Sequence, residues 1–198
     1  MRNFIEAVTN RRTIYNIDNN VTVAPETIIS TIEQLTQEVP SSFNNQSARV
    51  VVLFGKHHDK VWNIVMETLR KLVPLENFPA TEAKVNGFAA GYGTVLYFDD
   101  TAVTNEYAEK FSAYSENFPI WANQSNGMLQ FAIWTALSDL GLGVNLQHYN
   151  PIIDNEVKAV FNIPDSWKLI TQMPFGNPLE QPAEKEKILI DERVKIFR

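Results

Sequence analysis

The chain has no cysteine. That absence removes disulfides, thiolate metal sites and a cysteine nucleophile together, and with them the usual mark of a secreted domain. Positive charge is in deficit: 17 Lys and Arg stand against 23 Asp and Glu, a formal net charge of −6. A nucleic-acid binder would carry a basic patch, so no nucleic-acid partner is expected. No stretch approaches the roughly 18 consecutive apolar residues of a membrane-spanning helix. Met1-Arg2-Asn3-Phe4-Ile5-Glu6 also lacks an apolar run of signal-peptide length. A cytoplasmic protein with no membrane partner is therefore expected. No internal repeat or low-complexity tract interrupts the chain.

What is present is a soluble composition, 44% hydrophobic and 20% charged over 198 residues. That length suits a single domain, 1–198, able to bury a large core. Residues 3–11 read as a short helix, and Pro25 opens a second one to about Val39, where Pro40 ends it. Ala48 to Gly55 is a continuous β-branched run, the pattern of a strand buried on both faces. His57 to about Leu72 is helical, Thr94 to Phe98 is a second buried strand, and about 101–116 is helical again. Ile120 to Leu140 is the longest helix, apolar on nearly every side from Met128 onward, which calls for cover by a second subunit. A short helix over about 153–161 and a strand over 167–173 follow. From Asn177 to Lys187 the chain reads as a polar linker, followed by apolar residues at Ile188–Ile190 and Val194–Phe197. These need somewhere to dock, and the edge of a partner's sheet would serve. Alternating strands and helices give a mixed α/β or α+β domain.

Three polar segments stand out. Arg11-Arg12-Thr13 offers fixed positive charge at the end of the first helix. Pro40-Ser41-Ser42-Phe43-Asn44-Asn45-Gln46 offers hydroxyls and amides on a loop held by a strand. Lys185 and Lys187 supply a second basic pair late in the chain. Charge combined with neutral hydrogen-bonding groups suits a phosphorylated, polyhydroxylated cofactor with an amide-rich ring, and FMN fits better than a metal ion. Each segment also has a plainer reading: charges complementing a helix dipole, a turn, and a solvated Glu-Lys-Glu-Lys run. His57-His58-Asp59 resembles a metal cluster but begins a helix, where adjacent side chains diverge by about 100°; a solvated helix start is expected, and no metal. Phe78, Phe88, Tyr92, Phe111, Phe118 and Trp121 are read as core, with an aromatic wall over a bound ring as the alternative.

The order Arg-Arg-Thr, Pro-Ser-Ser-x-Asn-x-Gln before a β-branched strand, Leu-Gly-Leu-Gly after a long helix, and a late Lys-x-Lys resembles the nitroreductase family of FMN-dependent oxidoreductases. Gly91-Tyr92-Gly93-Thr94 and Asn145-Leu146-Gln147-His148-Tyr149-Asn150-Pro151 look like its compact branch of fatty-acid-repression-type and copper-induced bacterial nitroreductases. The resemblance implies an α+β sandwich with a central mixed sheet. It implies a homodimer through the long central helix, each C-terminal extension (about 177–198) wrapping the partner. It implies FMN at the interface, with NADH or NADPH reducing nitroaromatics or quinones in a ping-pong cycle. By the same resemblance, Arg11 and Thr13 match phosphate and ribityl contacts, with Arg12 beside them, and Lys185 and Lys187 close on the phosphate. Pro40, Ser41, Ser42 and Asn44 match the loop reaching in from the other subunit. Leu146, Gln147 and His148 align with the segment whose backbone approaches the flavin N5 and O4, so the backbone rather than the His148 imidazole is the expected contact. Tyr15 stands where many members carry Lys or Arg at the pyrimidine edge, and Lys84 is the candidate to replace that charge. No side chain is expected to carry the hydride chemistry, which belongs to the cofactor. The rival expectation is a flavin-binding regulator in lipid or stress response with incidental reductase activity.

Overall fold

The computed structural model describes residues 3–182 and 184–198. Met1 and Arg2, which open the segment read for a signal peptide, and Ala183 of the expected linker lie outside the described residues. The strands are β1 (Ile17–Asp18), β2 (Ala48–Phe54), β3 (Gly93–Asp100), β4 (Gly143–Val144) and β5 (Trp167–Pro178). The helices are α1 (Phe4–Asn10), α2 (Pro25–Glu38), α3 (Lys56–Leu72), α4 (Phe78–Ala89), α5 (Thr101–Lys110), α6 (Phe118–Asp139) and α7 (Asp154–Phe161).

The sheet runs β1-β5-β3-β2, with β4 also on β5. β3 is buried at every position because it has a strand on either side and helices on both faces. Its side chains alternate between two cores, as a period of two requires. Leu96 and Phe98 join Leu53, Val61, Trp62, Val65, Phe88 and Val157 beneath α3, α4 and α7. Val95 and Tyr97 join Ile28, Ile32, Leu129, Ile133, Met173 and Phe175 beneath α2 and α6. The result is the expected α+β sandwich. Its strand ladders are antiparallel, and the parallel component of the expected mixed sheet is confined to the bridge between Thr13 and Val144. Close packing around the β5 end needs glycine at two points. A Cβ on Gly93 would come within 2.5 Å of the Phe175 ring, and one on Gly176 would collide with the Asp18 carbonyl.

Several expectations need correction. β2 is not buried on both faces; most of its residues are half-buried because it is the sheet's edge and has no neighbouring strand beyond it. The helix expected over 101–116 stops at Lys110, and Ser112–Asn117 continues as 3-10 turns. Helix α4 was not expected. β5 runs to Pro178, so Asn177 and Pro178 pair with Asp18 and Ile17 rather than opening a linker. α6 begins at Phe118, ahead of the expected start, because Pro119 lies in the first turn, where no amide donor is needed. His58 is not solvated. It is 1% exposed, with Nδ1 at 2.8 Å from Thr94 Oγ1 and Nε2 at 3.1 Å from the Ala89 carbonyl. Trp62 Nε1 also donates to Thr94 Oγ1 at 2.9 Å. The carbonyl requires a proton on Nε2; burial lowers the His58 pKa and so favours the neutral ring, in which Nδ1 accepts the Thr94 hydroxyl hydrogen.

Candidate functional site

The Arg11–Tyr15 segment leaves α1 in extended conformation and is stitched to the chain that follows β4. Ile14 N–H donates to the Val144 carbonyl at 3.0 Å, and Asn145 Nδ2 donates to the Ile14 carbonyl at 2.9 Å. Beyond this point the backbone is held just as firmly. Gln147 and Gln172 exchange both backbone hydrogen bonds, at 2.7 and 2.9 Å, and Gln172 Oε1 accepts from Tyr149 N–H at 2.7 Å. The Gln147 side chain is buried and donates to Asn145 Oδ1 at 2.8 Å, Leu146 is half-buried, and His148 is exposed. Two segments about 130 residues apart in sequence thus meet at one end of the sheet.

The two arginines diverge. Arg12 borders a concavity of about 290 Å³ together with Asn10, Ile14, Ser138, Leu142 and the chain from Pro178 to Pro182. Arg11 instead lays its guanidinium 4.2 Å over the Trp134 ring of α6. Its Nε is buried and, among the described residues, has no hydrogen-bond partner; the same is true of Trp134 Nε1. Burial first, and repulsion from Arg12 second, lower the Arg11 pKa from its ordinary value. Tyr15 and Lys84 both line a second concavity of about 420 Å³, together with Gly87 and Phe88. Glu180 borders both concavities, so the two adjoin.

The Pro40–Gln46 loop has an unusual backbone. Phe43, Asn44 and Gln46 all adopt positive φ, at 54°, 53° and 51°. Asn tolerates that region, whereas a bulky aromatic rarely does. Ser41 braces the loop, its Oγ accepting from Gln46 N–H at 2.9 Å and its carbonyl from Asn44 N–H at 3.0 Å. Phe43 is pressed against Phe111, Phe118 and Trp121, with ring centroids 4.6, 5.5 and 6.0 Å away. Of the aromatics read as a possible wall, Phe78, Phe88 and Phe118 are core, while Phe111 and Trp121 join Phe43 in this surface cluster. Ser41 lies beside Ser125 and Leu129 of α6. Ser125 and Trp134 are nine positions apart (134 − 125) on that helix, about 13 Å of rise. Within one chain, the loop and Arg11 therefore occupy different stretches of α6.

Lys185 and Lys187 lie on the exposed tail and line neither concavity. Trp134 and Glu180 were given no site role from the sequence, and Asn145 was noted only as the start of the Asn145–Pro151 motif. Trp134 sat inside a helix marked only for its apolar surface, and nothing local ties it to a residue 123 positions away (134 − 11).

The chain matches the model of the nitroreductase family over residues 8–177. It belongs to the nitroreductase family. Nitroreductase FRM2 of Saccharomyces cerevisiae is 33% identical over 188 residues, covering 92% of each chain. Nitroreductase CinD of Lactococcus lactis, solved in complex with nicotinic acid, superposes with a TM-score of 0.92 at 40% identity, covering 98% of this chain and 100% of that one. CinD has also been solved with chloramphenicol and with 4-nitrophenol. A chain from Desulfovibrio desulfuricans in complex with FMN shares the fold, with a TM-score of 0.72 at 16% identity, covering 100% of this chain and 99% of that one. Family membership supports an oxidoreductase function for the chain. No helix among the described residues is long and apolar enough to cross a membrane.

Proposed function

We propose that this nitroreductase is an FMN-dependent enzyme that passes two electrons from NADH or NADPH to nitroaromatic or quinone acceptors by a ping-pong sequence. The observation that carries the reading is the meeting of the Arg11–Tyr15 and Val144–Gln147 segments, beside a concavity shared by Tyr15 and Lys84. The donor set suits the cofactor. Arg11 has a buried N–H without an acceptor, as a phosphoryl oxygen would require. Lys84 offers positive charge and Tyr15 a hydroxyl where a ring carrying imide groups needs donors. The D. desulfuricans neighbour's FMN supports the cofactor, and CinD's 4-nitrophenol and chloramphenicol, both nitroaromatics, support the acceptor class.

Arg11 would hold the phosphate, with Lys185 and Lys187 closing over it, and Arg12 and Thr13 would lie alongside. Tyr15 and Lys84 would meet the pyrimidine edge, and the rigid backbone of Leu146, Gln147 and His148 the opposite side. Bound FMN supplies the hydride acceptance and donation. The protein's own work is to orient, to offer fixed positive charge, and to leave one face open to donor and acceptor in turn.

The same proposal includes a homodimer in which Pro40, Ser41, Ser42 and Asn44 come from the second copy. Three features support it. Ile120, Met128 and Phe131 on α6 are exposed. A groove of about 850 Å³ runs along the β2 edge between Ile29, Ile32, Val50, Val52, Phe54 and Trp167. Ile188, Leu189, Ile190, Ile196 and Phe197 of the tail are exposed apolar residues that such a groove on a partner would bury. The proposal places the protein in the cytoplasm, where NADH and NADPH are available.

Steady-state kinetics with each nicotinamide against a quinone and a nitroaromatic test the enzyme reading. Parallel double-reciprocal lines are expected. Tightly held flavin with negligible turnover would replace it with a flavin-binding regulator.

A further inference from the structure

We infer that Trp134 is a positioning residue that holds Arg11 ready for the phosphate of its cofactor, so that this tryptophan sets the preference for FMN over riboflavin. The inference rests on the FMN reading above. Its grounds are the geometry of the pair.

The Arg11 guanidinium lies 4.2 Å over the Trp134 ring. Indole is the best aromatic partner for a cation, and the contact strengthens as water is removed. Stacking uses only the flat face of the guanidinium. All of its N–H bonds lie in the plane and point sideways, so a stacked arginine keeps its whole hydrogen-bonding edge for an oxyanion. One N–H of that edge, Nε, is buried and has no acceptor among the described residues, so it is a donor left for a ligand oxygen to satisfy. Arg11 is also the C-cap of α1 with its N–H still bonded to the Ala7 carbonyl, so its backbone is fixed while its side chain reaches α6. A long, rotamer-rich side chain is thus ordered before any ligand arrives, and the ordering cost no longer falls on binding.

A purely architectural stack, tying α1 to α6, predicts something different. Loss of an anchor would weaken every flavin alike, whereas loss of a phosphate-directed arginine weakens only the phosphorylated one. Flavin-free, full-length dimer is titrated with FMN and with riboflavin, following the quenching of flavin fluorescence, for the native chain, Trp134→Phe and Trp134→Leu. The expected result is a loss of FMN affinity of about tenfold in Trp134→Leu and about threefold in Trp134→Phe. Riboflavin affinity should stay within about twofold of the native value in both. In an Arg11→Ala background, Trp134→Phe should change neither affinity, because its effect runs through the arginine. Equal losses for both flavins, or an unchanged FMN affinity, overturn the inference. If Trp134→Leu does not fold, Trp134→Phe and the Arg11→Ala cycle decide alone. A native protein that does not distinguish FMN from riboflavin sinks the phosphate assignment itself, a failure visible before any variant is made.

Discussion

The two faces of the sheet are finished to different degrees. Beneath α3, α4 and α7 the packing is closed. Trp62, Val61, Val65 and Val157 are 0–1% exposed, and His58 and Thr94, which enter this core, are hydrogen-bonded to each other, to Ala89 and to Trp62; the exception is Asp154 Oδ1 at the start of α7, buried without a partner among the described residues. Beneath α2 and α6 the interior is equally apolar, yet its margins are open. Among the described residues Arg11 Nε and Trp134 Nε1 lack partners, Met128 and Phe131 stand exposed on α6, and a groove runs along the β2 edge. The first face is largely closed within the chain, apart from the concavity that Lys84, Gly87 and Phe88 of α4 share with Tyr15. The second leaves apolar margins that the proposed second copy would cover.

Removing residues 184–198 is the largest way to break that contrast. If Ile188, Leu189 and their apolar neighbours bury themselves on a partner, even two such side chains contribute about 3–6 kcal/mol. Sedimentation should then show the dimer dissociation constant rising by about two orders of magnitude or more. An unchanged dimer would leave the tail without that role. On the closed face, Trp62→Ala should cost about 3–5 kcal/mol of stability through the cavity it leaves, read in urea melts of flavin-free protein. Its ratio of FMN to riboflavin affinity should not move; a changed ratio would mean that the two faces are not separable.

Arg11→Ala tests the open face in the opposite sense. The loss of charge-assisted hydrogen bonds worth about 1.5–3 kcal/mol should lower FMN affinity roughly 10- to 100-fold. Flavin-free stability should change little, since a buried unsatisfied N–H disappears with the side chain. A large fall in melting temperature with FMN affinity intact would make Arg11 a structural residue instead.

How far the sequence reached follows the same division. The helix read over His57 to Leu72 and the buried strand read over Thr94 to Phe98 are local patterns, and both are found as α3, with Val61, Ile64 and Val65 buried, and as β3. α4 contains Pro79 and Gly87, residues that weaken a helical signal in sequence. Pro79 is harmless in a first turn, and Phe78, Val85 and Phe88 do form a buried stripe. β2 reads as a central strand by composition and is an edge by topology, which composition does not encode. The polar motifs were legible as chemistry, but their company was not. That Tyr15 shares a concavity with Lys84, and that Arg11 rests on Trp134 rather than beside Arg12, are tertiary facts. His58 shows the same limit. Only the arrival of Thr94 and Ala89 makes its helix-start position an interior one.

The smallest expected effect sharpens the closed face. Burial holds the His58 pKa below its ordinary value, partly opposed by the Ala89 carbonyl and by Asp59. The sign follows from linkage. Above the ordinary imidazole pKa neither state is protonated, and the stability is fully present. As pH falls below it, the unfolded chain takes up a proton that the native chain refuses, and stability declines until the depressed native pKa is reached. Urea melts from about pH 7 to about pH 5 should show this slope, and His58→Gln should flatten it. An identical slope in the variant would place the titration elsewhere.

The most direct test of the account is the visible absorbance of the purified protein at a known oligomeric state, before and after anaerobic addition of NADH or NADPH. The account predicts a yellow dimer with one FMN per protomer, bleached by at least one of the two nicotinamides. A colourless monomer that stays colourless when FMN is added would contradict it.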